Sequence, residues 1–267
     1  MRKLLGLIVR NQNKIRDFIA IILYKLNLIP KEYSGRARQL YLKKTLDKFF
    51  LKSKLKYSEN GYYYLSPMPT KNFLDEYYEK TYWQARSDLN FPVRLRDIEH
   101  FRLITNFYKE FNSSSKKILN FGAGHGGISF LFHSASHDVY NYDYGSTQKN
   151  FSQDRWHEIN SLDNFNHKFD LIYASHSLEH VQDLFLILEK FKEISHSDTI
   201  FFFEVPNHFF NNKDIHPPHT YYFTRIFFFN TFDKVDFCKT FSGSKEKENE
   251  DGETIRFHTR SQLKNLI

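Results

Sequence analysis

A chain of 267 residues has room for one full α/β domain and a substantial extension. Its 40% hydrophobic content and 29 Phe, set against 10 Gly and 7 Pro, exclude a disordered, low-complexity or collagen-like chain. The single cysteine, Cys238, excludes an internal disulfide and a cysteine-based zinc ribbon, so nothing demands an oxidising compartment and the cytoplasm is the expected location. The net charge of +7 is unevenly spread: residues 1–56 hold 15 Lys/Arg against 3 Asp/Glu, and the remainder holds 23 against 28. A basic segment ahead of an acidic body points to an anionic surface or partner for the N-terminus and away from a nucleic-acid-binding protein.

In chain order, residues 3–28 place Leu4, Leu5, Ile8, Ile15, Ile19, Ile22, Leu23 and Leu26 mostly at three- and four-residue steps, with basic side chains between them. This reads as an amphipathic basic helix able to lie in an anionic membrane interface or to pack on protein. Its apolar runs are too short to span a bilayer. Pro30 and Ser34–Gly35 interrupt the pattern, and Tyr41–Leu55 resumes it, giving a basic helical extension over 1–56. An aromatic, proline-punctuated segment, Gly61–Thr70 followed by Leu74–Trp83, reads as a lid over 57–94. A helix over 92–111 leads into the main domain, 95–267.

There the periods alternate: strand Lys117–Phe121, helix Gly127–Ser134, strand Asp138–Tyr142, an irregular stretch, strand Phe169–Ala174, helix Leu184–Ile194 and strand Thr199–Val205. Near-continuous apolar strands separated by helices indicate a parallel sheet covered on both faces. A helix around Thr224–Phe232 and two strands, Val235–Phe241 and Thr254–Thr259, complete the chain with an antiparallel hairpin around the charged loop Gly243–Gly252.

The chemistry concentrates at strand ends. Ile118-Leu-Asn-Phe-Gly-Ala-Gly-His-Gly-Gly127 sets a Gly-x-Gly-x-Gly turn between a strand and a helix, where Gly122, Gly124 and Gly126 let a nucleoside approach the main chain. Asp143 ends the next strand, positioned to accept hydrogen bonds from ribose hydroxyls. Together with Phe169-Asp-Leu-Ile-Tyr-Ala-Ser-His-Ser-Leu-Glu-His-Val181 and Phe201-Phe-Phe-Glu-Val-Pro-Asn207, these segments resemble the successive motifs of class I S-adenosylmethionine-dependent methyltransferases. The likeness is to the branch with Leu-Glu-His after the fourth strand, common in small-molecule, quinone and surface-sugar modification, and it covers about residues 95–260.

The resemblance implies a Rossmann-like α/β/α sandwich with a mostly parallel seven-stranded sheet and one closing antiparallel strand. It implies S-adenosyl-L-methionine as cofactor, held by Asn120, Gly122, Ala123, Gly124, Gly126, Asp143, Tyr144 and Ser175. Asn120 stands where the family usually has an acidic residue, and the third motif near Asn160–Asp163 is faint. Both departures leave room for a non-catalytic relative that has lost donor affinity. The expected acceptor is a small molecule, a glycan or a lipid-linked intermediate, through a hydroxyl, with His176 and His219 as candidate proton acceptors because an unperturbed imidazole titrates at about 6.5. His176-Ser-Leu-Glu-His180 also matches the His-x-x-Glu-His pattern of inverted zinc peptidases. Because that pattern follows a buried strand, no metal ligands are assigned; Glu179 and His180 read as braces for the helix, with a divalent metal assisting an acceptor hydroxyl as the other reading. His216-Pro-Pro-His-Thr-Tyr-Tyr-Phe-Thr224 falls at the carboxyl edge of the sheet, where the resemblance puts one wall of the acceptor pocket.

Overall fold

The computed structural model describes residues 47–50, 52–78, 93–143, 156–163, 165–208, 215–242 and 253–264, together with Ile19, Ile22 and Leu26. Most of the amphipathic 3–28 segment, the 79–92 part of the lid segment and Tyr144 lie outside the described residues.

The main sheet contains β3 (Lys117–Phe121), β4 (Asp138–Tyr142), β5 (His157–Ile159), β6 (Phe169–Ser175), β7 (Ser195–Pro206), β9 (Phe237–Ser242) and β10 (Glu253–Arg260). Its seven strands run in the order β5-β4-β3-β6-β7-β10-β9. β4, β3, β6 and β7 pair in parallel, β5 joins β4 in parallel, and β10 inserts antiparallel between β7 and β9. The predicted fold class is thus the observed one. The short β5 was not expected, since three residues within an irregular stretch carry no alternation of their own.

Alternation along the strands builds two cores. Ile118, Leu171, Tyr173, Ile200 and Phe202 face one layer, with Ile104 of α2 (Leu95–Phe107) and Ile128 and Phe132 of α3 (Gly127–Ser134). Leu119, Phe121, Ile172, Phe201 and Phe203 face the other, with Leu184, Leu188 and Phe191 of α4 (Leu184–Glu193) and Phe227 and Phe228 of α5 (Arg225–Thr231). Helix starts follow the side chains available: the Asp183 carboxylate accepts from the Leu186 N–H at 3.0 Å, and the Asp97 carboxylate accepts from the Arg94 N–H at 2.9 Å.

A second sheet, of order β1-β2-β8, joins β1 (Lys54–Ser58) and β2 (Tyr62–Ser66) to β8 (Tyr221–Phe223). The helix expected to run to Leu55 gives way at Lys54, because Lys-Leu-Lys-Tyr-Ser alternates and pairs residue for residue with Ser66–Tyr62 across a turn at Gly61, whose φ is 88°. Tyr62, Tyr63 and Tyr64 pair in turn with Phe223, Tyr222 and Tyr221. A bridge between Asn207 and Phe223 then fixes this sheet to the end of β7. Beneath it Phe50, Leu65, Tyr77 and Tyr78 form a third apolar cluster with Leu74 of α1 (Lys71–Tyr77) and Tyr222.

Candidate active site

The site lies at the carboxyl ends of β3, β4, β6 and β7, the edge at which ligands of open α/β sheets bind. Gly122, Gly124 and Gly126 all have positive φ, at 74°, 56° and 72°. Two turn amides, Gly122 N–H and Ala123 N–H, donate to the Tyr142 carbonyl at 2.8 and 3.1 Å, so the glycine turn is tied to the end of β4. Asp143 closes the arrangement: its Oδ2 accepts from the Gly124 N–H at 2.6 Å, holding the carboxylate against the turn. The glycines serve two purposes. A Cβ on Gly122 would stand 2.2 Å from Ser177 Cβ, so that glycine admits the loop after β6, while a Cβ on Gly126 would meet the Trp156 ring at 3.0 Å.

Asn120 is placed differently from the turn residues. It is buried on the α3 side of the sheet, where its amide donates to Ser129 Oγ at 2.7 Å and Ser129 donates onward to Asn141 at 2.6 Å. The chain continues to Glu158, which also accepts from Trp156 Nε1 at 2.5 Å. Ser175, at the buried end of β6, pairs across the sheet with Glu204.

His176-Ser-Leu-Glu-His180 is not an α-helix. His176 has φ 51° and is followed by a single 3₁₀ turn, Leu178–His180. The i, i+3, i+4 helix face that would underlie the peptidase pattern therefore does not form. The His176 N–H donates to the Glu204 carbonyl at 2.8 Å, and its ring lies between two carboxylates: Nδ1 is 3.4 Å from Glu179 Oε1 and Nε2 is 3.4 Å from Glu204 Oε1. His219 approaches from the loop before β8, with its ring 4.8 Å from that of His180. Thr220 anchors this loop, its N–H donating to the Glu179 carbonyl at 2.7 Å and its hydroxyl to the Val181 carbonyl at 2.5 Å. The structure thus brings His176, Glu179, His180 and His219 together beside the glycine turn.

A model described as a methyltransferase domain matches residues 94–266, which include every strand of the main sheet. The chain belongs to that methyltransferase family. Among solved structures it is similar to magnesium protoporphyrin IX methyltransferase from Synechocystis PCC 6803, with S-adenosylhomocysteine bound, at TM-score 0.52 and 11% identity over 73% of this chain and 100% of the other. It is also similar to the 1,6-didemethyltoxoflavin-N1-methyltransferase of Burkholderia thailandensis, with 1,6-didemethyltoxoflavin and S-adenosylhomocysteine bound, at TM-score 0.52 and 12% identity over 79% of this chain and 100% of the other. At such identities the likeness is one of fold. No curated protein sequence matches.

Electrostatics in this methyltransferase-family site separate the two expected histidines. Burial works against a charge on His176, but the Glu179 and Glu204 carboxylates overcome it and raise its pKa to about 9. Burial, reinforced by the neighbouring His180, lowers that of His219 to about 3. Glu179 is held down at about 2 because its histidine neighbours, His176 foremost, outweigh the burial that would raise it. Glu204, which the sequence reading did not single out, anchors one side of the cluster: Oε2 lies 2.9 Å from His100 Nε2 and accepts from Arg256 Nε at 2.8 Å. A lone carboxylate inside Phe-Phe-Phe-Glu-Val was the available signal, since a charge within a buried strand requires partners.

Proposed function

We propose that this chain binds S-adenosyl-L-methionine at the glycine turn and transfers its methyl group to a small-molecule acceptor. One observation carries the reading: the Asp143 carboxylate, hydrogen-bonded to Gly124 N–H, forms with three positive-φ glycines a main-chain cradle closed by an acidic group suited to ribose hydroxyls. Gly122, Ala123, Gly124, Gly126 and Asp143 fit the nucleoside, and Ser175 stands at the neighbouring strand end. Asn120 acts through the turn, because its amide is engaged with Ser129 beneath it. The cofactor supplies an electrophilic methyl on a sulfonium; the protein aligns the acceptor and manages its proton.

His176 and His219 divide that work by position. Both ring nitrogens of His176 face carboxylates, which suits it to hold the polar cluster in place. His219, on the loop carried by β8, is the ring presented to the acceptor. Tyr222, whose hydroxyl accepts from the His216 N–H at 3.0 Å, stiffens that loop. A hydroxyl acceptor on a glycan or lipid-linked molecule accords with the aromatic sheet and the basic N-terminus.

Calorimetry with S-adenosylhomocysteine tests the donor site. We expect micromolar binding that weakens by about 10²-fold in Asp143→Ala, the loss of two hydrogen bonds to a charged acceptor at roughly 1.5 kcal/mol each. No heat at millimolar ligand would favour a non-catalytic binding protein of the same fold, a reading that the buried, neutral Asn120 supports. For the N-terminal segment, in which Ile19, Ile22 and Leu26 are exposed, sedimentation with anionic vesicles should pull down the full chain and leave a chain lacking residues 1–30 in the supernatant. Equal partitioning of the two would remove the membrane reading.

A further inference from the structure

Glu179 has an unusual environment for a brace. Its side chain is 1% exposed, and among the described residues Oε2 accepts no hydrogen bond while Oε1 has only ion-pair contacts with histidine rings, outside good hydrogen-bond geometry. The nearest nitrogens, His176 Nδ1 at 3.4 Å and His180 Nε2 at 3.8 Å, both stand against Oε1. A buried carboxylate ordinarily fills its lone pairs, and each vacancy costs free energy unless something else fills it. The backbone at this point is tied down by contrast, because the Glu179 carbonyl accepts from the Thr220 N–H and the Val181 carbonyl from the Thr220 hydroxyl.

Two imidazoles converge on the same place. The ligand atoms of Glu179, His180 and His219 all lie within 4.8 Å of one another. Aromatic rings wall the group, with Tyr78 at 5.8 Å from His180 and Tyr222 at 5.9 Å from His219. His219 is fixed from behind, its N–H donating to the His216 carbonyl at 2.8 Å across the Pro217–Pro218 turn.

We propose that Glu179, His180 and His219 are the protein ligands of a divalent transition-metal site of the zinc class, with the remaining coordination position left for water or an acceptor oxygen. Two nitrogens and one carboxylate are the donor set of an open zinc or ferrous site, whereas magnesium and calcium call for oxygen alone. Tetrahedral ligands about 2.0–2.1 Å from an ion stand roughly 3.3 Å apart, so the three side chains, now within 4.8 Å of one another, need to close by up to about 1.5 Å, through rotation of the two partly exposed histidines. The role of such an ion rests on the proposed methyl transfer: an acceptor hydroxyl bound to it would give its proton to solvent water, its oxygen would bond the methyl as the sulfonium–methyl bond breaks and S-adenosylhomocysteine leaves, and His219 would serve as ligand instead of base.

The test uses the full chain, stripped with a chelator and titrated with Co²⁺ while the visible ligand-field bands are followed, then with Zn²⁺ as competitor. We expect one equivalent of Co²⁺, displacement by Zn²⁺, and affinity weakened at least tenfold in Glu179→Gln, His180→Ala and His219→Ala. Thermal melting of each variant shows whether it folds; should Glu179→Gln fail, His219→Ala, on a partly exposed loop, decides. Wild-type protein without ligand-field bands, or a folded His219→Ala variant that titrates like wild type, overturns the site. Parallel calorimetry with S-adenosylhomocysteine keeps the two readings apart: nucleoside binding without a Co²⁺ band removes the metal alone, and a Co²⁺ band without nucleoside binding removes the methyl transfer alone.

Discussion

Gly122 shows how a residue can satisfy a motif for more than one reason. As a letter in Gly-x-Gly-x-Gly it marks a nucleoside turn, but its missing side chain also makes room for Ser177, whose hydroxyl donates to the Phe121 carbonyl at 2.9 Å. Gly122→Ala must therefore strain a backbone at φ 74° and push against Ser177 Cβ. We expect a stability loss of at least about 1–3 kcal/mol from the backbone alone, measured by urea unfolding, together with weaker binding of S-adenosylhomocysteine. An unchanged urea midpoint would refute the steric account. Asn120, in the same motif, donates through its amide to Ser129, because alternation along β3 puts residue 120 on the α3 face with Ile118.

Among the elements, the small β1-β2-β8 sheet had the weakest trace in the sequence. Its strands come from segments more than 150 residues apart, and Tyr-Tyr-Tyr in β2 or Tyr-Tyr-Phe in β8 is too short to show a period. What makes the sheet part of the domain is packing. Tyr62 is buried, with its ring 5.7 Å from that of Tyr221 and 5.8 Å from that of Phe227. Tyr62→Ala should cost about 3–5 kcal/mol, as other large-to-small aromatic changes in cores do, by thermal or urea unfolding. A cost near zero would mean that the sheet rides on the domain without supporting it. The same sheet carries Thr220 and His219 to Glu179, so loss of packing here is also expected to loosen the polar cluster.

At the scale of the whole molecule, stability is bound to pH through histidines enclosed by aromatic rings. His258 of β10 is fully buried, stacked between Phe202 and Phe237, and meets the Tyr108 hydroxyl through Nδ1 at 2.9 Å. Burial lowers its pKa to about 4. The native state keeps this ring neutral while the unfolded chain takes up a proton below about pH 6.5, so the contribution is full above that pH and is lost as pH falls towards 4. The share of the unfolding free energy that His258 supplies should drop by about 3 kcal/mol across that window, at 1.36 kcal/mol per unit of pKa, alongside that of His219, and the slope should flatten in His258→Gln. A wild-type profile flat from pH 6.5 to 4 would contradict this. The sequence by itself determined most strands and helices of the main sheet, its parallel body with one reversed strand, the glycine turn and the acidic strand end, because periodicity, glycine and strand-end placement are local properties; β5 and the small β1-β2-β8 sheet were left to the tertiary structure. Only the tertiary structure decided which carboxylates and imidazoles meet. Glu179, His219 and Glu204 come from three separate segments, and their shared burial and charge exist only once β6, β7 and the loop before β8 lie side by side.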